Sequence, residues 1–236
     1  MVPLILVILF ITLGMFFLGY FLIEKLKGYC LKETLIKSVA SLFFIAVATV
    51  SLIAKSSTNL PLFVLFGLIC GLAGDVLLEL KYVKRDYERH FTYAGFVAFM
   101  VGHIFYMSGL MMEFYHGESI LYIILPILIG ILMSVGNLVL EKPMKFNFGE
   151  YRLVVFIYGC FLFSFAALIV SLNILNGFSS TTLFVLMGAA VFFVVSDLIL
   201  SGTYFAVGKD RPIDLILNAV TYYVAQYLIA FSLFFL

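Results

Sequence analysis

Apolar residues along this chain gather into eight long stretches, at about 3–23, 35–54, 60–79, 92–113, 119–140, 151–172, 180–203 and 213–235. Each has roughly the 20 residues a helix needs to cross the hydrocarbon of a bilayer. Strands of an outer-membrane barrel would alternate apolar and polar residues, whereas these stretches stay apolar with isolated polar insertions. The expected fold is an all-α membrane protein with eight transmembrane helices, a single domain over 1–236. Its connections are too short to hold a soluble domain.

Composition excludes a soluble globule, since 64% of residues are hydrophobic and 11% charged, against roughly 45–50% and 25% in soluble domains. The first stretch lacks a preceding basic residue and ends in Glu24-Lys25-Leu26-Lys27 without a small-residue cleavage site, so it is expected to be retained as a helix. Cys30, Cys70 and Cys160 are scattered and show no CxxC spacing. They support neither a disulfide framework nor a cysteine metal site.

Charge adds an orientation. Lys25, Lys27, Lys32 and Lys37 flank the first connection, Lys81, Lys84, Arg85 and Arg89 fill the third, Lys142, Lys145 and Arg152 the fifth, and Lys209 and Arg211 the seventh. Only Lys55 lies on the other side. The positive-inside rule then places the odd connections in the cytoplasm and both termini outside. These basic residues are read as topology signals and lipid headgroup contacts, with no nucleic-acid partner. The expected location is a cell membrane crossed many times, the cytoplasmic membrane for a bacterial source.

Two polar insertions carry the most information. Asp75 and Asp197 sit within stretches hydrophobic enough to span, and a carboxylate in hydrocarbon is costly enough to mark a functional site. Both are expected near the cytoplasmic end of descending helices. Asn218, Tyr222 and Gln226 follow Asp214 at four-residue steps on one face of the last helix. His103 and Tyr106 share a stripe with Phe99 on the fourth, while Ser134, Asn137 and Glu141 share a face of the fifth. A polar cavity open toward the cytoplasmic leaflet would satisfy all of them. Glu79, one turn after Asp75, Asn137, Asn218 and Gln226 are read either as part of that site or as hydrogen-bonded struts between helices.

Asp75 and Asp197 are 122 residues apart, His103 follows the first by 28 and Gln226 the second by 29. Shifting the first four helices by the larger spacing lays them close to the last four. Two parallel repeats, 1–115 and 119–236, are expected, with the site between them. Gly67, Gly71 and Gly74 are assigned to close helix packing.

Three-histidine zinc ligation fails on topology, because His90 and His116 fall in connections and only His103 lies in a span. A site of two aspartates and one histidine stays as the metal alternative, and no metal or other cofactor is expected otherwise. Intramembrane carboxylates between repeated halves also describe proton-coupled transporters and lipid carriers, which stay as the alternative.

Four segments in order, Gly74-Asp75-Val76-Leu77-Leu78, Gly95-Phe96-Val97-Ala98-Phe99-Met100-Val101-Gly102-His103-Ile104-Phe105-Tyr106, Ser196-Asp197-Leu198 and Thr221-Tyr222-Tyr223-Val224-Ala225-Gln226-Tyr227-Leu228-Ile229-Ala230, resemble the YhhN-like membrane protein family. That family includes the lysoplasmalogenases. The resemblance implies hydrolysis of the vinyl ether bond of a lysophospholipid, giving a fatty aldehyde and a glycerophospho-ethanolamine or glycerophospho-choline. Such chemistry needs a proton donor and an anion facing an oxocarbenium ion, a division of labour that two carboxylates perform in glycosidases. Asp75 is favoured as the anion and Asp197 as the acid, with the reverse assignment open. His103 and Tyr106 would position water or relay a proton, and Tyr222 and Gln226 would hold the glycerol or phosphate end. Lys81, Lys84 and Arg211 are read first as membrane anchors and second as phosphate contacts.

Overall fold

The computed structural model describes residues 2–28, 31–54, 58–206 and 211–236. Among the described residues there are eight α-helices: α1 (Val2–Lys25), α2 (Leu31–Ala54), α3 (Leu60–Val83), α4 (Glu88–Phe114), α5 (Leu121–Val139), α6 (Arg152–Leu175), α7 (Thr181–Phe205) and α8 (Pro212–Ser232). All eight are long and apolar enough to cross a membrane, so the protein is an all-helical, multi-pass membrane protein. Cys30, Lys55 and Lys209 lie outside the described residues.

Local chemistry sets the ends. Pro212 occupies the first position of α8, where its missing N–H removes no helical bond. Ser180 caps α7 by accepting from the Leu183 N–H at 3.3 Å. After α6 the chain turns at Gly177, with φ +58°, and the Phe178 N–H donates back to the Asn173 carbonyl at 2.8 Å. This left-handed reversal is one that glycine adopts without steric penalty.

Helices pair as hairpins, α1 with α2, α3 with α4, α5 with α6 and α7 with α8. The hairpins join where α2 meets α3 and α6 meets α7, and the two halves meet where α4 packs on α6 and α8 packs on α2. The interior is filled by Phe44, Leu68, Leu110, Phe165, Leu172, Phe193 and Tyr223, all within 2% of complete burial. Lacking a hydrophobic drive in lipid, spanning helices associate through close packing. The glycines of α3 supply it: a Cβ at Gly67 would overlap the Tyr106 ring, at Gly71 it would lie 2.9 Å from Gln226 Nε2, and at Gly74 2.6 Å from the Phe99 ring.

Several helices outrun the apolar stretches at one end of the bundle. α2 begins four residues early at Leu31, α4 begins four early at Glu88, and α3 continues four residues to Val83. The charges in these extra turns divide, with Lys32, Glu88 and Arg89 exposed. Glu33 and Lys81 are buried there.

Candidate active site

Asp75 and Asp197 line a single cavity. Each lies eight residues before the end of its helix, α3 at Val83 and α7 at Phe205, or ~12 Å along the axis. Lys37 of α2, Phe96 and Phe99 of α4, Tyr158 of α6, and Asn218 and Tyr222 of α8 complete much of the wall. The space measures about 80 Å³, and at ~10–15 Å³ of such volume per water it admits several waters or one slim chain.

The Asp75 carboxylate is met by donors on three sides. Ser41 Oγ donates to Oδ2 at 2.8 Å, Tyr222 OH donates to Oδ2 at 3.0 Å, and the Lys37 ammonium lies 3.3 Å from Oδ1. Behind Tyr222 runs a relay in which Tyr106 OH donates to Gln226 Oε1 at 3.1 Å and Gln226 Nε2 donates to Tyr222 OH at 2.9 Å. Every proton in this chain points toward Asp75. Lys37 also pairs with Glu79 at 3.1 Å, and Glu79 pairs with Lys25, so the carboxylate belongs to a buried ionic ladder linking α1, α2 and α3.

Asp197 has a sparser setting. Tyr158 OH of α6 donates to its Oδ2, and among the described residues no cation pairs with it. Asn218 directs its amide to Ser196, 2.9 Å to the carbonyl and 3.0 Å to Oγ, tying α8 to α7 beside the aspartate. One turn after Asp197, Ser201 lines the cavity, and among the described residues its Oγ has no hydrogen-bond partner. Two carboxyl groups thus share a cavity with unlike surroundings, one held by a cation and hydroxyls, the other by one phenol.

The remaining residues singled out in the sequence divide. Tyr222 and Asn218 line the cavity, Gln226 and Tyr106 stand behind Tyr222, and Glu79 reaches Asp75 through Lys37. His103 is buried away from the lining: its Nδ1 bonds the Phe99 carbonyl at 2.8 Å, and its ring packs against Tyr106, Tyr158, Phe165 and Phe193. Asn137 is half-exposed on α5 and does not line the cavity. The expectation that the α5 face joins the same polar cavity is corrected. α5 packs mainly on α6, where Ser134 donates to the Phe156 carbonyl at 2.6 Å, and Glu141 pairs with Arg152 at 3.3 Å.

Sequence reasoning passed over Lys37, Ser41 and Tyr158. Position places Lys37 at the flank of a connection as a topology signal, yet its ammonium reaches Asp75 and Glu79 inside the bundle. A signal existed: Glu33, Lys37 and Ser41 advance in four-residue steps, the pattern that marked α8. For Tyr158 none did, since tyrosine occurs 14 times in the chain and nothing in its neighbours sets this one apart.

The site therefore defines a class, an eight-helix membrane protein with a two-carboxyl cavity toward one end of the bundle. The sequence profile of the YhhN family matches residues 32–233, and the chain belongs to that family. Comparison with curated proteins and with solved structures gave no match.

Proposed function

We propose that the protein hydrolyses the vinyl ether bond of lysoplasmalogens. The observation that carries this reading is the unlike pairing of two carboxyl groups around one cavity: Lys37, Ser41 and Tyr222 surround Asp75, and Tyr158 alone bonds Asp197. A carboxyl facing an ammonium and two hydroxyl donors serves best as the anion, whereas one with no cation serves best as the proton donor. The family resemblance supplies the substrate class, and the intramembrane cavity fits a lipid that presents its ether near the bilayer surface.

Asp197 gives its proton to the β-carbon of the alkenyl group, the C=C π pair forms that C–H bond, and the adjoining oxygen shares a lone pair to make an oxocarbenium ion. The Asp75 carboxylate opposes this positive charge. Water bonds to the cationic carbon and yields a proton to Asp75, leaving a neutral hemiacetal. Asp75 returns that proton to the glycerol oxygen as its C–O bond breaks, and Asp197 takes the hemiacetal hydroxyl proton. Both carboxyl groups end as they began, and the products are a fatty aldehyde and a glycerophospho-alcohol. Tyr222 orients Asp75, and Ser201 is placed to hold the water or a glycerol hydroxyl.

Purified protein supplied with a 1-alkenyl lysophospholipid is expected to release aldehyde, and Asp75→Asn and Asp197→Asn to lose that release. Full turnover in both variants would exclude the assigned site.

A further inference from the structure

Of the three cations suited to a phosphate at the basic end of the bundle, the structure distinguishes one. Lys84 is exposed, and a solvated ammonium needs no ligand. Arg211 is held by Asp214 through two bonds of 2.8 and 2.9 Å. Lys81 is only 6% exposed, yet among the described residues no carboxylate lies within salt-bridge distance of it. Glu79, the nearest acid on its own helix, pairs instead with Lys25 and Lys37. The Lys81 ammonium rests on aromatic faces, 3.2 Å from the Tyr204 centroid and 4.8 Å from that of Tyr82.

An ammonium removed from water with no carboxylate in contact is costly, and cation–π contact returns only part of that cost. An anion arriving at Lys81 gains the rest. Position says where it would come from, because Tyr204 lines the cavity that holds both aspartates. Lys81 follows Asp75 by six residues and Tyr204 follows Asp197 by seven, ~9 and ~10 Å along two helices running the same way. A ligand with its reacting bond between the aspartates would carry a group one glycerol away toward Lys81. We infer that Lys81, stacked on Tyr204, is the receptor for a phosphodiester anion joined through glycerol to the group bound between Asp75 and Asp197. The assignment rests on the hydrolase reading for its substrate, while the site itself is testable without turnover.

The test is binding of a radiolabelled, non-hydrolysable 1-O-alkyl lysophosphoethanolamine to the purified full-length protein in neutral detergent, with 1-O-alkylglycerol as the phosphate-free comparison. Lys81→Met is expected to weaken the phospholipid analogue at least tenfold and the alkylglycerol less than twofold, with Lys81→Arg restoring most of the difference. Equal weakening of both ligands, or of neither, overturns the assignment. Should the methionine variant fail to fold, the wild type decides: glycerophosphoethanolamine must raise its melting temperature where glycerol with ethanolamine does not, and absence of a shift overturns the site. Inorganic phosphate is the third arm, and a shift equal to that of the ester assigns the site to free phosphate and overturns the glycerol-linked ligand. Loss of alkenyl hydrolysis in the wild type with phosphate-selective binding intact would overturn the reaction and keep Lys81.

Discussion

Lys37 Nζ on α2 lies 3.3 Å from Asp75 Oδ1 on α3. This single contact gives the two cavity aspartates different chemistry, because no comparable cation reaches Asp197 among the described residues. Lys37 also touches Glu79 at 3.1 Å, so one ammonium joins the candidate anion to a carboxylate whose other partner, Lys25, comes from α1. The difference in surroundings between the aspartates is thereby tied to the packing of the first three helices.

Replacing Lys37 by Met should lower the rate of aldehyde release by about 10–100-fold, the effect of removing one charge-assisted contact in a dry site. The Michaelis constant should move little, since the charge acts on the ion formed during reaction and the ground-state ether is neutral. Steady-state kinetics with alkenyl lysophospholipid read this directly. A change confined to the Michaelis constant would place Lys37 in substrate binding instead.

Tyr158 should matter less than Asp197. Its hydroxyl donates to Asp197 and so positions the acid without exchanging a proton with substrate. Tyr158→Phe is expected to retain about a tenth of wild-type activity, the effect of one lost hydrogen bond. Asp197→Asn should fall by ~10²–10⁴-fold, as for loss of a general acid. Comparison of the two rates at equal expression checks the order, and equal losses would make Tyr158 a proton carrier.

Helix number, helix type and the gathering of Asp75 and Asp197 at one cavity were legible because apolarity in 20-residue windows is decided by lipid, and a carboxyl among such residues has no bland surface explanation. The relay through Tyr106, Gln226 and Tyr222 was visible in part, since four-residue steps put Tyr222 and Gln226 on one face of α8. Lys37 and Lys81 read first as topology signals and anchors, with Lys81 only second a phosphate contact and the four-residue step through Glu33, Lys37 and Ser41 easily passed over. Near a helix end, a lysine that snorkels to headgroups and one that turns inward share the same hydropathy, and only the arrival of Asp75, Glu79 or Tyr204 from other helices separates them. His103 carries a similar ambiguity. A buried imidazole can satisfy one nitrogen on its own helix, as at the Phe99 carbonyl 2.8 Å away, and fill the rest of its space with aromatic contacts.

Asn137 provides a test of the corrected α5 face. It lies on α5, half-exposed and outside the cavity, and α5 reaches the rest of the bundle mainly through α6. Asn137→Ala should leave turnover within twofold of wild type, while Asn218→Ala, which cuts the link to Ser196 beside Asp197, should reduce it about tenfold. A larger loss at Asn137 than at Asn218 would show that α5 contributes to the site.

Gly74 joins stability and chemistry at one position. A Cβ there would lie 2.6 Å from the Phe99 ring, too close to be accommodated unless α4 or the ring moves. Overpacking of this kind costs about 1–3 kcal/mol, more than the ~1 kcal/mol by which alanine improves a helix over glycine. Phe99 also lines the cavity and packs edge-on against the Tyr222 ring, with centroids 6.0 Å apart. Displacing Phe99 therefore presses on the tyrosine that donates to Asp75 at 3.0 Å. Gly74→Ala is expected to lower the thermal midpoint in detergent and to reduce turnover of the protein that remains folded. Gly188 of α7 is the matched comparison, because a Cβ there meets nothing within 4 Å. Gly188→Ala should hold or raise the midpoint and leave turnover unchanged. If Gly74→Ala were as stable and as active as Gly188→Ala, the close approach of α3 to Phe99 would not be what sets Tyr222 against Asp75.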